Sequence, residues 1–115
     1  MKRIIPLSPR RWLALEIFRR MKRKRIEEHP LRQLFWECTL RCNVRCRHCG
    51  SDCKSSPSTP DMPLEDFLKV LDSIATHTDP HNVFVIISGG EPTVREDLET
   101  CAKEIARRGY PWGMV

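Results

Sequence analysis

The 115 residues carry 20 Lys and Arg against 15 Asp and Glu, a net charge of +5, and the imbalance is local. Residues 1–32 hold eleven Lys or Arg against three Glu, whereas residues 33–115 hold nine against twelve acidic residues. Glu16 and the surrounding arginines exclude a transmembrane span, and the short, interrupted apolar run excludes a secretory signal peptide. Six cysteines in so short a chain suggest a disulfide framework, but without a secretory signal their clustering favours metal over pairing. A reducing, cytoplasmic setting is therefore expected.

In chain order, the basic segment 1–32 comes first. Between Arg11 and Arg23, Leu13, Ala14, Ile17, Phe18 and Met21 fall on one helical face, with Glu16, Arg19, Arg20 and Arg23 opposite. An amphipathic helix is expected, followed by the basic run Lys22 to Arg25. Three partners compete for its apolar face: the adjoining domain, a weak contact with an anionic membrane surface, or an acidic or polyanionic partner. Nothing in the composition gives a specific nucleic-acid signal.

Residues 33–115 read as alternating strands and helices. Leu34 to Leu40 suits a first strand, leading directly into Arg41-Cys-Asn-Val-Arg-Cys-Arg-His-Cys-Gly50. Residues 51–62 form a polar connection rich in Ser, Pro and Asp. Pro63 fits a first helical turn, with Glu65 and Asp66 nearby; Leu64, Phe67, Leu68, Leu71, Ile74 and Ala75 then repeat at helical spacing. Val83 to Ile87 is uniformly apolar, as a parallel strand covered on both faces should be. Arg95 to Arg108 reads as a second helix with Leu98, Cys101, Ala102 and Ile105 inward and Gly109 as its stop, and Tyr110 to Val115 opens a third strand.

The chemistry is concentrated in two places. Cys42, Cys46 and Cys49 supply three thiolates where a closed cubane cluster takes four, so a cluster held here keeps one iron open. Some forty residues on, Gly89-Gly90-Glu91-Pro92 follows the second strand. Glycines at a strand end let the backbone approach a ligand closely, and Pro92 biases Glu91 toward an extended conformation. In parallel α/β folds the ends of successive strands share one mouth, which places both motifs together.

The CxxxCxxC spacing, followed by a GGEP motif in that position, closely resembles the radical S-adenosylmethionine (SAM) superfamily. The resemblance implies an α/β fold, the N-terminal portion of a partial (β/α)6 TIM-like barrel that stops in its third strand. It implies that Cys42, Cys46 and Cys49 hold three irons of a 4Fe-4S cluster, while SAM chelates the fourth and is cleaved to a 5′-deoxyadenosyl radical that abstracts hydrogen. By position, His48 stands where the family places an aromatic near the SAM adenine, and Gly89, Gly90, Glu91 and Pro92 would meet the methionine moiety. An electron donor such as flavodoxin or ferredoxin is implied as a partner. The substrate is left open; the Cys-Arg-His-Cys form resembles peptide-modifying or maturase-type members.

A rival reading remains. Cys38 and Cys53 each lie four residues from the trio, and either could complete a structural zinc site or a closed cluster in a non-enzymatic module with a basic arm for a polyanion. Both are expected to be free thiols, and Cys101 a core residue. Six barrel units scale to roughly 190 residues. Fewer than 85 are present here, so an incomplete enzyme is expected: a gene fragment, a truncated reading frame, or one part of a split enzyme.

Overall fold

The computed structural model describes residues 8–51, 53 and 57–115. The chain divides into two compact units, Met1–Pro30 and Leu31–Val115, a boundary close to the change in charge. Part of the polar connection predicted over 51–62, and the first residues of the basic segment, lie outside the described residues.

The described residues of the first unit form the helix α1, Pro9–Glu28. The Ser8 hydroxyl accepts the Arg11 amide, Pro9 occupies the first turn, and His29 ends the helix in a left-handed conformation, its amide donating to the Arg25 carbonyl. These caps extend the helix beyond the predicted apolar stretch at both ends. Leu13, Ile17, Phe18 and Met21 share a side as expected, but Trp12, Leu15 and Ile26 fall on the side of Glu16 and the arginines. The apolar side chains are therefore not confined to one stripe, and α1 buries none of its residues. Within the helix Glu16 pairs with Arg19 at 2.9 Å and Arg20 at 3.2 Å. No helix among the described residues is long and apolar enough to cross a membrane.

The second unit follows the order β1 (Gln33–Thr39), α2 (Leu64–Ala75), β2 (Phe84–Gly89), α3 (Leu98–Arg107) and β3 (Trp112–Met114). The strands form one parallel sheet in the order β1-β2-β3. Trp36 stands opposite Ile87, and Leu34 opposite Val85. That face packs on Phe67 and Leu71 of α2 and on Cys101 and Ile105 of α3, so both helices cover the same side of the sheet. The Trp36 and Phe67 rings stack 3.9 Å apart, and the buried Tyr110 hydroxyl donates to the Leu71 carbonyl at 2.6 Å. The opposite face, with Phe35 and Phe84, is more open: Phe84 is 40% exposed, so the apolar run of β2 is fully covered on one side only.

Several ends differ from the sequence reading for identifiable reasons. Pro63 does not enter α2; its carbonyl accepts the amides of Asp66 and Phe67, which makes it the residue preceding the helix. Tyr110 leaves the third strand for the core, which shortens β3 to three residues. The second helix starts at Leu98, because Pro92–Val94 form a 3-10 turn and Arg95 turns inward.

Leu71 is fully buried at the meeting of β1, β2 and both helices. Replacing it with Ala should lower the unfolding free energy by about 2–5 kcal/mol in denaturant titrations. Val70→Ala, at a position 41% exposed, should change it by less than about 0.5 kcal/mol.

Candidate functional site

The parallel pairing of β1 and β2 places the cysteine segment and Gly89-Gly90-Glu91-Pro92 side by side at the C-terminal ends of neighbouring strands. The register shifts between Glu37 and Thr39, so Cys38 is passed over and Thr39 pairs with Gly89. Such a bulge redirects the strand and leaves a residue outside the ladder. Here the Cys38 carbonyl is satisfied by the Arg95 guanidinium, whose Nη1 donates to it at 2.6 Å.

Beyond the bulge, backbone hydrogen bonds join the two motifs. The Gly90 amide donates to the Thr39 carbonyl at 2.8 Å, and the Glu91 amide to the Arg41 carbonyl at 2.9 Å. The glycines are required by this contact. Gly89 has φ +145°, and a β-carbon there would collide with the Thr39 carbonyl. A β-carbon at Gly90 would collide with the Arg41 carbonyl and stand 3.0 Å from the Cys42 β-carbon. The close approach expected of these glycines toward a ligand is thus also an approach to the first cysteine of the loop.

Glu91 caps the 3-10 turn that follows. Its Oε1 accepts the Thr93 amide at 3.2 Å and the Thr93 hydroxyl at 2.7 Å. The Thr93 hydroxyl, then its amide, hold the Glu91 carboxyl below its usual range, and the carboxylate stays charged at neutral pH. Pro92 is buried at the start of that turn.

Cys42 is half-buried at the mouth of the loop, while Cys46, His48 and Cys49 are exposed, His48 within a turn. The three thiols are not gathered together. The Cys42 thiol donates to the Val44 carbonyl at 3.3 Å, and the Cys49 thiol to the Ser51 carbonyl. Among the described residues no trio of His, Cys, Asp or Glu side chains has a metal-holding arrangement. The donor set nevertheless suits an iron-sulfur cluster in chemistry: three thiols on one accessible loop, the first of them beside Gly90. Cys53 lies half-buried in the same connection, its amide donating to the Ser51 carbonyl. Cys38 and Cys101 are fully buried.

Two charged groups at this mouth were not singled out in the sequence. Arg95 is 6% exposed, donates bidentately to Asp97 at 2.6 and 3.0 Å, and lies over the Trp36 ring at 5.1 Å. Asp61, returning from the polar connection, accepts Arg41 Nη2 at 2.7 Å. Burial raises the Asp61 pKa, but the Thr39 hydroxyl and the Arg41 guanidinium outweigh it and hold the carboxyl below its usual range. The spacing x-Pro-Asp-Met-Pro before a helix marks a turn and gives no sign of this pairing. An apolar groove of about 440 Å³ lies elsewhere, along α3 and β3, lined by Leu98, Ala102, Ala106, Trp112 and Met114, and contains none of these residues.

The radical SAM superfamily model matches residues 36–114, from β1 through β3 and across both motifs. The chain belongs to the radical SAM superfamily. It is 32% identical over 64% of its length to an Fe-coproporphyrin III synthase of Methanosarcina barkeri, covering 18% of that protein. It is 34% identical over 72% of its length to an AdoMet-dependent heme synthase of the same organism, covering 22% of it. It is also 30% identical over 70% of its length to a PqqA peptide cyclase of Granulibacter bethesdensis, covering 21% of it. The chain thus spans roughly a fifth of the length of these relatives. No solved structure matches it.

The geometry separates two glycines and two classes of thiol. Gly90→Ala should lower stability by about 1–3 kcal/mol, because the Arg41 carbonyl has to move. Gly50→Ala, with open space around it, should have no measurable effect in the same denaturation assay.

In a thiol-reagent titration Cys46 and Cys49 should react at once, and Cys38 and Cys101 only on unfolding. Burial, partly offset by Arg95, pushes the Cys38 thiol up to about 11, and burial raises Cys101 as well. Folding holds the Cys38 proton more tightly than the unfolded chain does. Its contribution to stability is therefore full below about 9 and is lost as pH rises toward about 11.

Proposed function

We propose that this chain supplies the cluster-binding and methionine-binding part of a radical SAM active site, built on the first three strands of the family's partial (β/α)6 barrel. The observation that carries this reading is the junction at which Gly90 and Glu91 hydrogen-bond to Thr39 and Arg41, directly beside Cys42. In this reading Cys42, Cys46 and Cys49 hold the cluster. When bound, the cluster and SAM together supply reductive cleavage of the sulfonium and a 5′-deoxyadenosyl radical for hydrogen abstraction.

The chain's own residues then have separable tasks. Cys42, Cys46 and Cys49 would hold the irons, and Cys42 and Cys49 would give up their carbonyl partners at Val44 and Ser51 to do so. Gly89 and Gly90 let the end of β2 lie directly against Thr39 and Arg41, which brings the GGEP segment beside Cys42. Glu91 keeps one carboxylate oxygen on Thr93, which fixes its orientation, and offers negative charge to the ammonium of the SAM methionine moiety. Pro92 anchors the turn by its burial. His48, exposed on the cysteine loop, stands at the position from which the family's aromatic meets the adenine.

An electron donor such as flavodoxin or ferredoxin would approach the outer side of the loop, where Arg45 and Arg47 are exposed cations. The substrate is an open choice between classes. The names of the three relatives given above divide between heme or porphyrin synthases and a peptide cyclase, and a peptide stays one candidate for this chain. A cytoplasmic location fits an oxygen-sensitive cluster that must be kept reduced.

Anaerobic reconstitution with iron and sulfide tests this reading. The protein should take up four irons per chain, and SAM should change the cluster's EPR signal. Cys42→Ala, Cys46→Ala and Cys49→Ala should each abolish the cluster, whereas Cys53→Ala should retain it. Glu91→Gln keeps an acceptor for Thr93 but removes the charge, and should weaken the SAM response by about ten- to hundredfold in affinity. Uptake of zinc in place of iron, or loss of the cluster with Cys53→Ala, would favour the structural-metal reading instead.

A further inference from the structure

The cysteine loop leaves β1 at Arg41 and its connection returns at Asp61, twenty residues on, and these two residues are paired. The pair is partly sheltered, with side-chain exposures of 37% for Arg41 and 19% for Asp61, so solvent screens it less than a surface pair. It is also knitted into the backbone: the Arg41 amide donates to the Thr39 hydroxyl at 3.1 Å, Thr39 is buried, and the Thr39 hydroxyl also engages Asp61. The Arg41 carbonyl, on the other side of the same residue, is the acceptor for the Glu91 amide. One residue thus touches the loop's returning end with its side chain and the GGEP segment with its backbone.

We propose that the Arg41–Asp61 pair is a clasp that closes the base of the cysteine loop and positions it against Gly90 and Glu91, so that the loop's retention of a bound cluster depends on it. The proposal rests on the cluster reading given above. Joining the ends limits the conformations open to the segment between them, which carries all three thiols, so less ordering is left for metal binding to impose. With the ends already joined, only the segment between them has to rearrange. Arg41 and Asp61 are positioning residues, since neither is assigned contact with iron or SAM. The exposed pairs of the helices, such as Lys103 with Glu99 at 72% and 82% exposure, hold no loop and have no such role.

Two measurements on the same variants test this. In the metal-free protein, hydrogen exchange at the Glu91 amide should quicken about tenfold in Asp61→Asn and Arg41→Gln, because the Arg41 carbonyl is no longer held. In the reconstituted protein, loss of iron to a chelator should quicken by about the same factor in each variant. The double variant should be no worse than either single one, as expected for partners in one interaction. Lys103→Gln should leave both rates unchanged.

Unchanged Glu91 exchange in both single variants would overturn the clasp, whatever the protein does with iron. Faster exchange with iron loss at the unsubstituted rate would overturn its role in retention. If the unsubstituted protein takes up no iron, the cluster reading fails and the retention role with it, while the exchange data still decide whether the clasp holds the Arg41 carbonyl. Arg41→Gln and Asp61→Asn approach the pair from opposite ends, so poor folding of one leaves the other to decide.

Discussion

The site depends on one contact: two successive amides, Gly90 and Glu91, reach the carbonyls of Thr39 and Arg41 where β1 and β2 end. A parallel sheet brings those ends together, but it does not by itself let the chains touch beyond the last paired residues. Two glycines and a bulge make that possible. Gly89 takes a backbone angle open to few other residues, Gly90 removes the β-carbon that would strike Arg41, and the bulge at Cys38 turns β1 toward its neighbour. The first cysteine of the loop follows immediately, so its position is set by backbone geometry.

The bulge has a cost that the fold offsets with a buried charge. Taking Cys38 out of the ladder leaves a buried carbonyl, and an unmet acceptor costs about 1–3 kcal/mol. Arg95 meets it through Nη1, while Nε and Nη2 donate to Asp97 and the guanidinium lies over Trp36. A buried cation is tolerated only when its hydrogen bonds are this complete. The arrangement joins the segment after GGEP to the strand that leads into the cysteines.

Much of this was legible in the residues. The helical repeat of Leu64, Phe67, Leu68 and Leu71, the apolar run ending in Gly-Gly, and the inward set of Leu98, Cys101 and Ile105 gave the order of elements and most of the core. Both motifs were visible because their chemistry requires fixed residue types at fixed spacing. Arg95 and Asp61 were not, since an arginine ahead of a helix and an aspartate between two prolines have ordinary surface roles. Their partners lie 57 and 20 residues away, and pairing at that range is not written in local pattern. In α1 five apolar residues share a face, but Trp12, Leu15 and Ile26 on the other side dilute the stripe.

In the proposed site three cysteines of one loop would hold a four-iron cluster and leave its fourth iron open to SAM. The Mössbauer spectrum of the iron-57 reconstituted protein, recorded with and without SAM, tests it most directly. One iron in four should change its signal when SAM is added while the other three keep theirs. A spectrum in which all irons are alike and none responds to SAM would contradict it.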